Sequence, residues 1–244
     1  MTRSDWFTDW FDSPYYARLY AQRDEREAAG FISALVNRIG VKAGDPVLDL
    51  ACGSGRHAIA LHALGLDVTG LDLSERAITE ANRFANEHLH FSRGDMRCFA
   101  LNRKFSLILN LFTSFGYFES AAQNIEVLRN VRAHLADGGC FVLDYFNVDY
   151  VLHHLVEQET IVRDHISFDI RRYATNTHII KDITVRDGSG TFAFSEKVQL
   201  LDRDQLTDML KQCALTPFEA FGDYQLNPFQ PECAPRLILA ARAT

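Results

Sequence analysis

Residues 46–58, Pro-Val-Leu-Asp-Leu-Ala-Cys-Gly-Ser-Gly-Arg-His-Ala, constrain the fold more than any other stretch of the chain. Val47, Leu48 and Leu50 form a short apolar run of the kind that makes a buried parallel strand. Gly53 and Gly55 follow at once, and Ala58, Ile59, Leu61 and His62 begin a helical spacing. A strand, a glycine turn and a helix start in this order form a nucleotide cradle. The glycines let backbone approach a ligand, and unpaired N–H groups at the helix start face it.

Two ligand classes fit such a cradle. Gly53-Ser54-Gly55-Arg56-His57-Ala58 satisfies the G-x-G-x-x-[GA] dinucleotide fingerprint, and Asp72 stands about twenty residues on, where a ribose-holding acid is expected. Asp49 separates the two. It lies at the end of the strand, ahead of the first glycine, where a carboxylate would repel a pyrophosphate. S-adenosylmethionine carries no phosphate; it offers an ammonium, a carboxylate and a sulfonium, and an acid beside the turn suits its methionine end.

Upstream, Trp6, Phe7, Trp10, Phe11, Tyr15, Tyr16 and Tyr20 make an aromatic segment too short to fold alone, so it either anchors on the domain or lids a site. A helix is expected from about Asp24, with Ala28, Phe31, Ile32, Leu35 and Ile39 as its apolar stripe and Gly40 as its stop. After the cradle, residues 66–71 read as a second strand ending in Asp72. Ser74 then caps a helix that buries Ala77, Ile78, Ala81, Phe84 and Ala85. At that strand tip Asp72 either accepts both hydroxyls of a ribose or merely begins the helix.

Residues 89–93 read as a third strand, ending in Gly94-Asp95-Met96, and 105–111 as a fourth, apolar on both faces. The fourth opens into Asn110-Leu111-Phe112-Thr113-Ser114-Phe115-Gly116-Tyr117-Phe118, an aromatic and hydroxyl loop that either borders a ligand or covers the core. A helix over 123–135 stops at Asp137-Gly138-Gly139, and a fifth strand over 140–145 brings Asp144, Tyr145 and Phe146 to the same edge. Strands alternating with helices in this way give a doubly wound parallel sheet.

The rhythm then changes. From about 160 to 201 the pattern has period two: Ile166, Phe168 and Ile170 alternate with polar residues, as do Phe192, Phe194, Val198 and Leu200, and Asp187-Gly188-Ser189-Gly190 supplies a hairpin turn. This antiparallel insertion has one apolar face, which the domain, an acceptor or a second copy of the chain, as a homodimer, must cover. Phe192 and Phe194 are expected to face the acceptor pocket. Helical spacing returns at Leu206, Met209, Leu210 and Cys213, and residues 218–221 and 237–241 read as a final pair of strands.

The segment from Asp49 to Gly55 resembles the D-x-[GA]-x-G-x-G first motif of class I S-adenosylmethionine-dependent methyltransferases. The inserted sheet and the aromatic N-terminus resemble their bacterial small-molecule members, of the sugar-amine and glycine N-methyltransferase kind. The resemblance implies an α/β, Rossmann-like, doubly wound sheet of seven strands with the last one antiparallel, plus the inserted antiparallel sheet. It implies one methyltransferase domain over 1–244, with an N-terminal lid over 1–40, a cofactor core over 41–147 and 202–244, and an insertion over 148–201. It places Asp49, Ala51, Gly53, Gly55, Asp72, Leu73, Asp95, Met96 and Asn110 around S-adenosylmethionine, with Asp95 accepting from the adenine amino group and Met96 packing on the ring. Tyr16, Phe112, Tyr117 and Tyr145 are then the residues that border the acceptor.

The implied reaction is in-line displacement of the methyl group by a small-molecule N or O acceptor. The protein's contribution to it is chiefly alignment, worth about 7–11 kcal/mol. Tyr16, Tyr117, Asp144 and His153 are placed to act as a base if the acceptor arrives protonated, and none is singled out as catalytic. A nicotinamide oxidoreductase and a non-catalytic S-adenosylmethionine-binding protein remain the alternatives.

Composition removes other classes. A net charge of −7 argues against a nucleic-acid surface, and no apolar run approaches a membrane span. Five scattered cysteines without a C-x-x-C pair suit reduced thiols in the cytoplasm. The histidines show no metal-ligand spacing, so no metal site is expected. The fourth strand is followed by Leu111-Phe112-Thr113, without the prolines of nucleic-acid and glutamine N-methyltransferases.

Overall fold

The computed structural model describes residues 6–21 and 25–244. Two sheets organise them. The larger has seven strands in the order β10-β11-β5-β4-β1-β2-β3, and the smaller four in the order β6-β7-β8-β9. In the larger, β1 (Pro46–Leu50), β2 (Asp67–Asp72), β3 (Leu89–Arg93), β4 (Phe105–Asn110) and β5 (Leu135–Phe146) run parallel. The last strand, β11 (Arg236–Ala243), is antiparallel to both β5 and β10 (Leu215–Phe221).

The unbroken apolar runs are explained by burial on both faces. Val47, Val68, Leu107, Leu109, Val142 and Ile238 pack against α3 (Glu25–Ile39), α4 (Arg56–Ala63) and α5 (Glu75–Ala81) through Phe31, Ile32, Leu35, Ala58, Leu61 and Ile78. Their strand neighbours Leu48, Leu50, Ile108, Phe141, Leu143 and Leu239 face the other way. They meet Val127, Leu128 and Val131 of α6 (Ala121–His134) and Leu206 and Leu210 of α8 (Arg203–Gln212). Alternate side chains thus feed two cores, one on each side of the sheet.

Two local expectations are corrected. Phe84 and Ala85 are not on a buried helical face: α5 ends at Ala81, Asn82–Phe84 form a 3-10 turn, and the Phe84 side chain is exposed. The tighter turn redirects the chain into β3 and rotates Phe84 outward. The glycines at 138 and 139 do not precede β5 but sit inside it, where the pairing register jumps from Phe105↔Leu135 to Leu107↔Cys140 and Gly138 is left-handed at φ 70°. The chain also adds a short helix, α7 (Val148–His153), before the insertion. The expected helix start at Asp24 lies outside the described residues.

The insertion is β6 (Gln158–Arg163), β7 (Ile166–Ala174), β8 (His178–Asp187) and β9 (Gly190–Gln199), all antiparallel. Its apolar face, Ile166, Phe168, Ile170, Ile183 and Val185, is covered by the chain's own N-terminus: Trp10 of α1 (Trp6–Phe11) and Leu19 of α2 (Pro14–Leu19) are both buried in that cluster. Phe192 and Phe194 lie over Tyr15 and Trp10, at ring separations of 5.2 and 4.8 Å, and are not on the wall of the pocket described below. The cross-strand register explains this, since Phe192 and Phe194 pair with Val185 and Ile183 on the face the helices already occupy.

Candidate functional site

The turn after β1 takes the chain through left-handed backbone at Ala51, Gly53 and Gly55, with φ of 64°, 55° and 89°. The N–H groups of Ala51 and Cys52 donate to the Leu71 carbonyl of β2 at 2.7 and 3.1 Å, so the turn is tied to the neighbouring strand. A Cβ built on Gly53 would meet nothing within 4 Å, so this backbone opens onto free space. Gly55 serves packing instead: a Cβ there would lie 2.8 Å from the Phe91 ring.

Asp72 closes the turn. One carboxylate oxygen accepts the Gly53 N–H at 2.8 Å and the other the Ser74 N–H at 2.8 Å. Each oxygen keeps a second lone pair for a hydroxyl donor. Burial raises its pKa, and backbone N–H groups of Ser74, Gly53 and Leu73 oppose the rise. Beneath the turn lies Asp49, 1% exposed, with one oxygen lacking a hydrogen-bond partner among the described residues. Burial first, and then the charge of Asp72, push its carboxyl up to about 7, against the Ala58 N–H and Arg56. A carboxylate oxygen without a partner among the described residues, behind an open glycine turn, fits an ammonium-bearing ligand, and Asp49 in its ionised form disfavours a pyrophosphate.

At the tip of β3, burial pushes the Asp95 carboxyl up, but hydrogen bonds from the Arg97 side chain (2.6 Å) and N–H outweigh it and hold the group below its ordinary range. Arg97 in turn stacks over the Phe118 ring at 4.9 Å. Asn110, fully buried at the tip of β4, donates to the Leu50 carbonyl at 2.9 Å and so fixes β4 to β1 below the turn.

The loop after β4 passes through left-handed backbone at two successive non-glycine residues, Phe112 (φ 57°) and Thr113 (φ 59°). Such residues cost about 1–3 kcal/mol each and persist only where the surroundings over-determine them. Here Asp144, fully buried on β5, accepts the Phe112 N–H at 2.8 Å on its side chain and the Thr113 N–H at 3.0 Å on its carbonyl. Arg236 pairs with the same carboxylate at 2.6 Å and donates to Thr113 Oγ1 at 2.9 Å. The Phe112 ring is stacked between His57, at 5.0 Å, and Tyr224, at 4.9 Å.

The N-terminal helices roof this arrangement. Trp6 Nε1 donates to the Tyr117 carbonyl at 3.3 Å, and Phe11 packs on both Tyr16 (4.9 Å) and Tyr117 (5.4 Å). Asp12, between α1 and α2, accepts from Ser74 Oγ at 2.7 Å and from the Arg76 N–H at 3.1 Å, which ties the roof to the loop after Asp72. On the far side Glu196 accepts from Trp10 Nε1 and from the Tyr20 hydroxyl, each at 2.7 Å, while Lys181 donates to the same hydroxyl.

The roof and the strand tips enclose one cavity of about 640 Å³, within the size range of small-molecule sites. Its wall includes Ala51, Gly53, Asp72, Leu73, Asp95 and Met96 from the cradle side, and Tyr16, Phe112 and Tyr117 from the roof side. Asp49, Gly55 and Asn110 stand one layer behind it. Tyr145 is not a wall residue: it is fully buried and its hydroxyl donates to the Gln199 carbonyl at 2.6 Å, joining the core to the end of the insertion. Of the four groups placed to act as a base, Tyr16 and Tyr117 reach the wall, Asp144 is held by Arg236, and His153 is exposed at the end of α7.

Sequence reasoning missed Asp12, His57, Tyr224, Lys181, Glu196 and Arg236. Ser13-Pro14, a helix-start signal, marks the break that frees Asp12. The others join the site through contacts between distant parts of the chain, which leave no local pattern.

Comparison with known proteins agrees with this geometry. A methyltransferase domain family matches residues 47–139. The chain is 31% identical over 146 residues to the dTDP-3-amino-3,4,6-trideoxy-alpha-D-glucopyranose N,N-dimethyltransferase of Streptomyces venezuelae, covering 59% of this chain and 57% of that protein. It is 34% identical over 122 residues to the dTDP-3-amino-3,6-dideoxy-alpha-D-glucopyranose N,N-dimethyltransferase of Streptomyces fradiae, covering 50% and 47%. The matches thus span about half the length of these relatives. Among solved structures, an S-adenosylmethionine-dependent methyltransferase from Clostridium acetobutylicum superposes with a TM-score of 0.79 at 21% identity, over 93% of this chain and 95% of that one. The CcbJ methyltransferase of Streptomyces caelestis gives 0.76 at 20% identity, over 98% and 97%. Residues 47–139 thus match a methyltransferase domain family, and the chain shares the fold of S-adenosylmethionine-dependent methyltransferases over 93% of its length.

Proposed function

We propose that the chain transfers a methyl group from S-adenosylmethionine to the amine of a small acceptor, of the amino-sugar nucleotide class named for its relatives. The observation that carries this reading is one continuous cavity whose two sides differ: a backbone cradle with Asp72 and Asp95 on one, a tyrosine- and phenylalanine-lined roof on the other. S-adenosylmethionine would supply an electrophilic methyl carbon. In this reading Asp72, with Leu73, holds the ribose hydroxyls, and Asp95 and Met96 receive the adenine. The Ala51–Gly53 backbone takes the methionine end, with Asp49 supplying negative charge from behind and Gly55 and Asn110 keeping the turn in shape.

Tyr16, Phe112 and Tyr117 then wall the acceptor, and their exclusion of water is what the chain adds beyond alignment. Either tyrosine hydroxyl can accept a hydrogen bond from the acceptor's amine and so orient its lone pair; the proton released on methylation leaves to solvent. Arg56, Arg76 and Arg93 also line the cavity, on its cradle side. Residues 6–21 act as the roof, α3 joins 41–147 and 202–244 in the cofactor core, and 148–201 is the base on which the roof rests. The five unpaired cysteines suit a cytoplasmic location, and no described helix is long and apolar enough to cross a membrane.

The test is a panel of amino-sugar nucleotides, simple amines and hydroxyl acceptors, read by S-adenosylhomocysteine release and product mass. Methylated amine product supports the reading. Release with hydroxyl acceptors alone would move it to O-methylation, and no release from any acceptor would contradict it.

A further inference from the structure

We infer that the buried pair Asp144–Arg236 is a positioning device: it holds the left-handed Phe112–Thr113 turn that presents Phe112 to the acceptor half of the cavity. The inference rests on the methyl-transfer reading for its consequence, but the device itself is geometric. Neither charged residue reaches the cavity wall. Both act on the one residue of their group that does.

Two bonds hold the backbone of the turn, a third holds its Thr113 side chain, and a fourth ties the two holding residues together. The Asp144 carboxylate and carbonyl take the Phe112 and Thr113 N–H groups, Arg236 takes Thr113 Oγ1, and the guanidinium and carboxylate bind each other. The Tyr224 hydroxyl donates to the same carboxylate at 3.2 Å, and its ring lies flat on Phe112 at an interplanar angle of 22°. Backbone that neither a phenylalanine nor a β-branched threonine adopts freely is therefore imposed by β5 and the start of β11, two adjacent strands of the rigid sheet. A loop merely covering the core would need no such conformation at two successive residues. A side chain that must stay at a fixed angle beside a reacting centre does, because small displacements there cost large factors in rate.

The test uses the full chain and two variants. Arg236→Met removes the pair but leaves Asp144 buried and unpaired, so it can lose stability. Thr113→Gly removes the Arg236 contact while relieving the left-handed strain, so it should melt no lower than the wild type. In both, amide exchange at residues 112 and 113 should quicken at least tenfold, with the exchange of Gly53 unchanged. In Thr113→Gly, kcat with an amine acceptor should fall at least tenfold while Kd for S-adenosylmethionine stays within threefold, and Arg236→Lys should keep more kcat than Arg236→Met. Unchanged exchange at both amides would overturn the device, whether or not any acceptor is turned over. Faster exchange with unchanged kcat would overturn its role in positioning. A wild type that methylates nothing, yet shows the exchange pattern, would sink the function reading and leave the turn-holding role standing.

Discussion

The two sides of the cavity, cradle and roof, are built on opposite plans. The cradle side is made of residues close in sequence or on adjacent strands: Gly53 to Asp72, Asp72 to Ser74, Asp95 to Arg97. Its bonds run mostly between a carboxylate and backbone N–H groups, so they depend on chain path more than on side-chain packing. The roof side joins parts of the chain more than a hundred residues apart: Trp6 to Tyr117, Trp10 and Tyr20 to Glu196, Thr113 to Arg236. Those contacts exist only once the whole chain has folded. A ligand common to a whole fold can be met by the first plan, while an acceptor particular to one protein is met by the second.

The largest expected effect breaks the roof side alone. Trp10 is fully buried between Tyr16 and Phe194 and donates to Glu196, so Trp10→Ala should cost about 3–5 kcal/mol where it packs. The loss should appear as faster amide exchange over α1, α2 and β9 and as lost acceptor turnover. Cofactor affinity should fall far less. Equal losses of both functions would show that the two sides are not separable.

The converse variant is Asp72→Ala. It removes the acceptor of the Gly53 and Ser74 N–H groups as well as the expected ribose contact, and hydrogen bonds to a charged group are worth about 1.5–3 kcal/mol each. Cofactor affinity should therefore drop by a factor of about one hundred or more, with a lower melting temperature because the turn loses its clamp. Unaltered affinity by titration would remove Asp72 from the site.

This contrast also decides what the sequence could reveal. Val47, Leu48 and Leu50 announce a strand buried on both faces, and Asp49, Gly53, Asp72 and Asp95 mark the cradle, because strand tips and glycine turns are local events. Period two in the insertion, likewise, exposed an apolar face. What covers that face was not legible: Trp10 and Phe194 meet across the fold with no shared pattern. Tyr145 illustrates the limit. Its position at a strand tip suggests a wall residue, but Gly116 lets the chain pass so closely that a Cβ there would lie 2.5 Å from the Tyr145 hydroxyl, and the ring is sealed behind the loop.

A smaller, pH-dependent effect sharpens the cradle side. Asp49 is held near 7 against an ordinary 3.8, so the folded chain keeps a proton that the unfolded chain has lost. Its contribution to stability is therefore greatest at the acidic side of that window and declines as pH rises towards 7. A ligand ammonium nearby favours the ionised form, so binding releases the proton. Apparent affinity for S-adenosylmethionine should rise by up to about tenfold per pH unit below 7 and flatten above it. Calorimetry in buffers of differing ionisation heat reads this release directly. Its absence would mean that Asp49 does not sense the ligand.

The smallest effect concerns the edge of the roof. Phe192 is 37% exposed and stacks on Tyr15 at the edge of the roof, so Phe192→Ser should cost less than about 1 kcal/mol and leave cofactor affinity within about threefold. A strong loss of cofactor binding would show that the insertion reaches into the cradle after all.

One measurement bears on the central claim most directly: calorimetric titration of the full chain with S-adenosylmethionine and, separately, with NAD. The open turn at Gly53 and the Asp72 clamp predict saturable one-to-one binding of S-adenosylmethionine, and the Asp49 carboxylate beneath the turn predicts none of NAD. Saturable binding of NAD, or no binding of S-adenosylmethionine, would contradict it.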